Sequence, residues 1–220
     1  MKSKSNQSNA KNTVLNVLTE IEETARKEFL PSIGPIKGKI IEDVINEHKP
    51  KKALEIGTLH GYSAILMANI MLSGKDGNAY FDDSEYDSRK TILVSVEKDQ
   101  KLASIAKKNI ENSKLSEKIE VINGDALDVI PKLKSKFDLI FLDATKCEYL
   151  EYLRLVEENN LLNKRAVVIA DNVLIYENEM KDYLDYVRNS GKYNSRTTET
   201  TLEFSKNVKD ALEVSINVVI

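Results

Sequence analysis

The sequence predicts an α/β fold: a doubly wound, mostly parallel sheet of seven strands with helices on both faces, closed at one edge by an antiparallel hairpin. Three observations carry this expectation. From Lys51 to Val187, short β-compatible runs alternate with segments of helical periodicity, the pattern of βαβ units. The inner runs, such as "TILVSV" and "FDLIFL", are apolar with little alternation, as strands covered on both faces are. The last two runs are joined by "SKNVKD", too short to hold a crossover helix, so they must pair antiparallel.

In chain order, "MKSKSNQSNAKN" reads as a loose polar tail over 1–12, and 13–220 as a single domain. Val14, Leu15, Leu18, Ile21, Ala25 and Leu30 have helical spacing, with Thr13 as N-cap and "PSIGP" as the break. A second helix spans Ile36 to Glu47, completing an N-terminal helical part over 13–48. Strand "KKALEIG" then leads to helix "YSAILMANIMLS", strand "TILVSVEKD" to helix "QKLASIAKKNIENS", and strand "IEVINGD" to the short helix "ALDVIPKL". Strand "FDLIFLDA", a helix from Glu148 to Glu157, strand "AVVIADN" and a helix from Glu177 to Val187 follow. Thr197 to Phe204 and Ala211 to Ile220 form the closing hairpin. An acidic insertion over 74–90 interrupts the pattern; its acids lack the spacing and closing Glu of a calcium loop, so it reads as solvated.

The composition is that of a globular chain: 220 residues, 41% hydrophobic and 30% charged. A net charge of -3 gives no global field toward nucleic acid or membrane. One cysteine, Cys147, excludes an intrachain disulfide and a Cys-rich metal site, and with no signal-type apolar core or membrane-length run the expected location is cytoplasmic.

Chemistry concentrates at the strand ends. "ALEIGTLHGYS" places Glu55, Gly57 and Gly61 at the first strand-to-helix turn, where doubly wound sheets bind ligands. Gly57 and Gly61 stand four apart with no glycine between, so the dinucleotide fingerprint is not met. The second strand ends at Glu97 in "VEKD", placed to accept both ribose hydroxyls, and the third at Asp125 in "NGDA", within reach of an adenine amine. Acids at three consecutive strand ends, without a phosphate cradle, suit S-adenosylmethionine better than NAD or ATP. Each acid alone reads equally as a helix cap.

Strand four ends at Asp143 and strand five at Asp171 and Asn172. Two carboxylates and an amide oxygen at neighbouring tips make a hard oxygen half-shell of the kind Mg²⁺ prefers. Lys146, three residues past Asp143, would stand beside that cation, where an ammonium group gives up its proton more readily and can act as a general base. The plainer alternative is an Asp143 helix cap with an exposed lysine.

Taken together, "IGPIKG", "LEIGTLHGYSA", "VEKD", "INGDA", "IFLDATKCEY", "IADNV" and "TLEF" resemble, in order, the motifs of catechol O-methyltransferase and its bacterial and caffeoyl-coenzyme-A relatives, over roughly Phe29 to Val219 without the insertion. The resemblance implies a Rossmann-like class I methyltransferase fold, S-adenosylmethionine as donor, a divalent metal such as Mg²⁺ on Asp143, Asp171 and Asn172, and Lys146 as base. It implies a donor site of Ile33, Glu55, Gly57, Thr58, Gly61, Ser63, Glu97, Lys98, Asp125, Ala126 and Asp143. On the acceptor side it implies Phe29, Lys146, Asn172 and Glu203, the last holding a second hydroxyl. Phe29 and Thr145 stand where the animal catechol enzyme has tryptophans, and "LDATK" is closer to microbial members.

The expected acceptor is thus a small diol or phenol. One alternative keeps the chemistry on a hydroxylated tRNA uridine, with Lys37, Lys39, Lys49, Lys51 and Lys52 meeting phosphate; another is a catalytically silent nucleoside-binding protein. No membrane partner is expected, and a homodimer is compatible with the reading. His48 and His60 lack the company of a zinc site. Cys147 reads as a pocket-wall residue, and Tyr149, Tyr152, Tyr183 and Tyr186 as packing.

Overall fold

A computed structural model describes residues 2–74, 91–205 and 207–219, with side chains from Asn12 onward. The elements are α1 (Lys2–Glu28), α2 (Gly34–His48), β1 (Ala53–Ile56), α3 (Tyr62–Ser73), β2 (Leu93–Glu97), α4 (Gln100–Asn112), β3 (Ile119–Asn123), α5 (Ala126–Val129), β4 (Phe137–Leu142), α6 (Tyr149–Glu158), β5 (Leu162–Ala170), α7 (Lys181–Asn189), β6 (Tyr193–Thr201) and β7 (Lys209–Asn217). The strands form one sheet in the order β3-β2-β1-β4-β5-β7-β6. β1 to β5 pair in parallel, and β7 pairs antiparallel with both β5 and β6. The predicted fold class is therefore the observed one.

The sheet divides the core into two layers. Ala53, Leu139, Phe141, Val167 and Ile169 face the side of α1 to α4, while Leu54, Ile56, Ile140, Leu142, Val168 and Ala170 face the side of α5 to α7. Every residue of β1 and β2 is buried, which explains why these strands read as continuous apolar runs. β3, at the sheet edge, exposes Glu120, a charge of the kind that discourages pairing with another chain. α1 presents Val14, Leu18, Ile21 and Ala25 to the core at helical spacing.

Several boundaries differ from the sequence expectation. The helical backbone of α1 continues to Lys2, through the stretch read as a tail, so Thr13 is not its N-cap. β5 begins before Ala166 because Arg165, at φ 57, accommodates a register shift between the Phe137–Leu162 and Leu139–Val167 pairs. β6 lies earlier than Thr197–Phe204: Tyr193 is buried, bonds Glu157 at 2.6 Å and pairs with Asn217, while at the far end Leu202 N–H donates to Val208 O at 2.9 Å and closes the hairpin loop. α7 starts at Lys181 rather than Glu177 because Tyr176 to Met180 form turns first. The acidic insertion beyond Gly74 lies outside the described residues. Among the described residues no helix is long and apolar enough to cross a membrane.

The topology reverses between β1 and β4, the switch point of a doubly wound sheet. There the register pairs Ile56 with Leu142 and Leu142 with Ala170. Gly57, Asp143 and Asp171, each one residue further on, consequently emerge at the same edge.

Candidate active site

A cleft of ≈ 370 Å³ opens at that edge over the ends of β1, β2, β3 and β4. Ile33, Gly57, Thr58, Ser63, Glu97, Lys98, Asp125, Ala126 and Asp143 all line it. Gly57 is held at φ +98, and a Cβ there would lie 2.1 Å from the Asp143 carbonyl oxygen, so only glycine lets the first turn pass this close to the end of β4. Gly57→Ala is expected to cost about 1–3 kcal/mol of stability and to displace Asp143; thermal melting with and without S-adenosylhomocysteine checks both effects.

Glu97 is more occupied than its sequence position suggested. Its Oε2 accepts from the backbone N–H groups of Thr58 (3.1 Å) and Leu59 (2.8 Å), and Oε1 from Asp99 N–H (2.9 Å). The carboxylate thereby ties the β1–α3 turn to the end of β2, and of its roughly four lone-pair positions about one remains, rather than the two that a pair of ribose hydroxyls would need. Asp125 accepts from Leu127 N–H and caps α5, and Lys98 bridges to it at 2.6 Å, holding its carboxyl below the usual carboxylate range.

Two expected donor-site residues lie behind the cleft wall. Gly61 caps α3 at φ +84, backed against Ala106. Glu55 is fully buried and accepts from the Ser95 hydroxyl, while its Oε1 has no partner among the described residues. Burial pushes its carboxyl up to about 8, against the hydrogen bonds of Ser63 and Ser95.

Beside the cleft, Asp143 joins a buried charge cluster. Lys146, on the single turn after β4, donates to Asp143 Oδ1 at 2.9 Å and to the Tyr149 hydroxyl at 2.8 Å. Asp171, 3% exposed, accepts from Lys37 Nζ at 2.6 Å through Oδ1. Lys37 reaches Asp210 Oδ2 at 2.6 Å as well, and that oxygen also accepts from Asn172 Nδ2 at 2.8 Å. Burial, then the Asp143 charge, pushes Asp171 up to about 7 despite Lys37. Lys37 is raised because the two aspartates outweigh the cost of its burial.

These bonds fall on Asp143 Oδ1, Asp171 Oδ1 and the nitrogen of Asn172. Among the described residues these bonds engage neither the second oxygen of each aspartate nor the amide oxygen of Asn172. Among the described residues no group of three His, Cys, Asp or Glu could hold a metal, so a cation here depends on the amide of Asn172 as third ligand. Two carboxylates and an amide oxygen are the donor chemistry that Mg²⁺ accepts while keeping positions for water or substrate.

Glu203 approaches from the hairpin loop and lies flat on Gly34, at φ +58, where a Cβ would meet its carboxyl carbon at 2.0 Å. Its Oε2 is buried without a partner among the described residues, and burial raises its carboxyl. Phe29 does not line the cleft: at φ 55 the chain leaves α1 and turns the ring outward, 92% exposed. Cys147 is exposed and does not form a pocket wall. Lys37, read as a phosphate contact, is 1% exposed and cannot be one; Lys39 pairs with Glu42 and Asp43.

The sequence reading missed three residues of the cluster: Lys37, Asp210 and the hydroxyl of Tyr149. Asp210 carries no distinguishing local signal, since Lys209 precedes it and Glu213 follows it in "KDALEVSI". Tyr149 does pack as expected, edge-on to Tyr183 with centroids 5.8 Å apart.

Comparison with known proteins adds an independent line. A family described as O-methyltransferase matches residues 5–219. Catechol O-methyltransferase of Bos taurus is 35% identical over 192 residues, 85% of this chain and 64% of that protein. Catechol O-methyltransferase B of Danio rerio is 33% identical over 207 residues, 91% of this chain and 71% of that protein. The chain thus spans slightly less than two thirds of the bovine relative. The crystal structure of an O-methyltransferase from Bacillus cereus in complex with SAH superposes with a TM-score of 0.73 at 24% identity, covering 92% of this chain and 90% of that one, and shows the shared fold.

Proposed function

Because the chain belongs to the O-methyltransferase family, we propose that it transfers a methyl group from S-adenosylmethionine to one hydroxyl of a small catechol-like diol, with a divalent cation, Mg²⁺, at Asp143, Asp171 and Asn172. One observation carries the reading: Asp143 lines the cleft and is also bonded to Lys146 in the charge cluster, so a single residue joins the donor pocket to the acid–base centre. The bound cation would supply the positive charge that acidifies an acceptor hydroxyl at neutral pH.

The chain's own residues do the rest. The cleft, lined by Asp143, would hold the donor beside the charge cluster, and alignment of donor and acceptor can supply about 7 kcal/mol or more. Lys146, fixed by Asp143 and Tyr149, would take the acceptor proton at Nζ after its ammonium has first released a proton to solvent. Glu203, with an oxygen unpartnered among the described residues, accepts from the second hydroxyl and fixes which one faces the methyl group.

A screen of catechols, simple phenols and bulk tRNA with radiolabelled methyl donor tests the proposal. Methylation of vicinal diols well above monophenols is expected, since monophenols cannot occupy Glu203. Transfer to tRNA that weakens steeply with salt, with none to diols, would overturn the acceptor assignment.

A further inference from the structure

We propose that Asp210, neutralised by Lys37, is the positioning residue that makes Asn172 a metal ligand, by turning its amide oxygen toward the cation. The inference rests on the metal reading above. An asparagine can present either end of its amide, and only the oxygen has a lone pair to give a hard cation. A carboxylate is acceptor-only, so Asp210 Oδ2, 2.8 Å from Asn172 Nδ2, admits the NH₂ end alone and sends Oδ1 the opposite way. The left-handed backbone of Asn172, φ 62, sets the side chain at this angle from β5.

Asp210 is fully buried, and alone its charge would be costly to keep there. Lys37, equally enclosed, lies 2.6 Å from Asp210 Oδ2 and 2.6 Å from Asp171 Oδ1. The one ammonium group therefore pins two things at once: the carboxylate that orients Asn172, and the Asp171 oxygen turned away from the cation. Such outer partners of metal ligands fix ligand orientation, and their loss typically weakens binding about 10–100-fold.

Mn²⁺ serves as the probe, with affinity measured by calorimetry on wild type and Asp210→Ala, alongside S-adenosylhomocysteine affinity and melting temperature. Because Asp210 Oδ2 is the oxygen that meets both Lys37 and Asn172 Nδ2, alanine removes the acceptor and leaves Asn172 with no group that selects its NH₂ end. Mn²⁺ binding weakened about 10–100-fold, with donor-product affinity unchanged, is the expected result. A purely structural ion pair would lower the melting temperature and leave Mn²⁺ affinity alone, which overturns the proposal. Wild type that binds no Mn²⁺ would sink the metal reading and this inference together; tight binding in both proteins sinks the inference only. Should Asp210→Ala not fold, a wild-type crystal soaked in Mn²⁺ decides. Asn172 Oδ1 on the ion with Nδ2 still on Asp210 supports the assignment, whereas Asn172 released from Asp210, or Asp210 itself on the ion, contradicts it.

Discussion

Lys146→Ala will lower the rate of methyl transfer by roughly 10²–10⁴-fold, the usual contribution of a positioned general base, while leaving S-adenosylmethionine affinity nearly intact. The side chain is 16% exposed, bonded to Asp143 and the Tyr149 hydroxyl, and lies within 5.2 Å and 6.0 Å of the Tyr149 and Tyr176 ring centroids. It lies outside the donor cleft, which is why donor binding should survive. Lys146→Arg separates proton transfer from charge: a guanidinium keeps the positive charge but does not deprotonate in proteins. Arginine performing as poorly as alanine supports a base, and substantial rescue by arginine would show that charge alone suffices. Initial rates and equilibrium donor binding on the same preparations supply both halves of the comparison.

Asp171→Ala is expected to lose activity on the order of 10²-fold or more, because a ligand contributing about 3 kcal/mol of charge stabilisation corresponds to that factor. Excess Mg²⁺ should restore little, since the missing group is a ligand and not merely a local negative charge. The substitution also removes one partner of buried Lys37, which keeps Asp210. Asp171→Asn, of the same size and still able to accept from Lys37, is therefore the cleaner variant. The Asp171 carboxyl, raised to about 7 by burial and by Asp143, gives the wild type a pH signature. The protonated form cannot ligate, so cation binding releases a proton; metal affinity should fall as pH drops below about 7 and level off above it. Calorimetric titration at several pH values reads this directly.

How far the sequence disclosed this site depends on whether a feature is local. Strand ends were legible because a continuous apolar run stopping at an acid marks both the strand and its tip, as at Glu97, Asp143 and Asp171. The parallel register then brings Asp143 and Asp171 together without further information. Lys37 and Asp210 were not legible. Their contact spans 173 residues and depends on β7 entering antiparallel between β5 and β6. A lysine in the first turn of an amphipathic helix looks solvated in any local window, and nothing near Lys37 reveals the two carboxylates above it.

Backbone geometry hid other features. Phe29 reads as an aromatic beside the acceptor, but a positive φ at the end of α1 sends it to solvent. The carboxylate of Glu97 reads as free because the backbone N–H groups that consume it belong mainly to a turn 38 and 39 residues away. The polar opening of α1 carries no apolar stripe, and so gives no local sign of the helix that continues to Lys2.

The central claim is that oxygens from the tips of β4 and β5 hold one divalent cation beside the donor cleft. The most direct measurement is the initial rate of methyl transfer to catechol by wild-type protein dialysed against EDTA, before and after Mg²⁺ is returned. Activity is expected to disappear on chelation and to return with Mg²⁺. An unchanged rate in EDTA would contradict the claim.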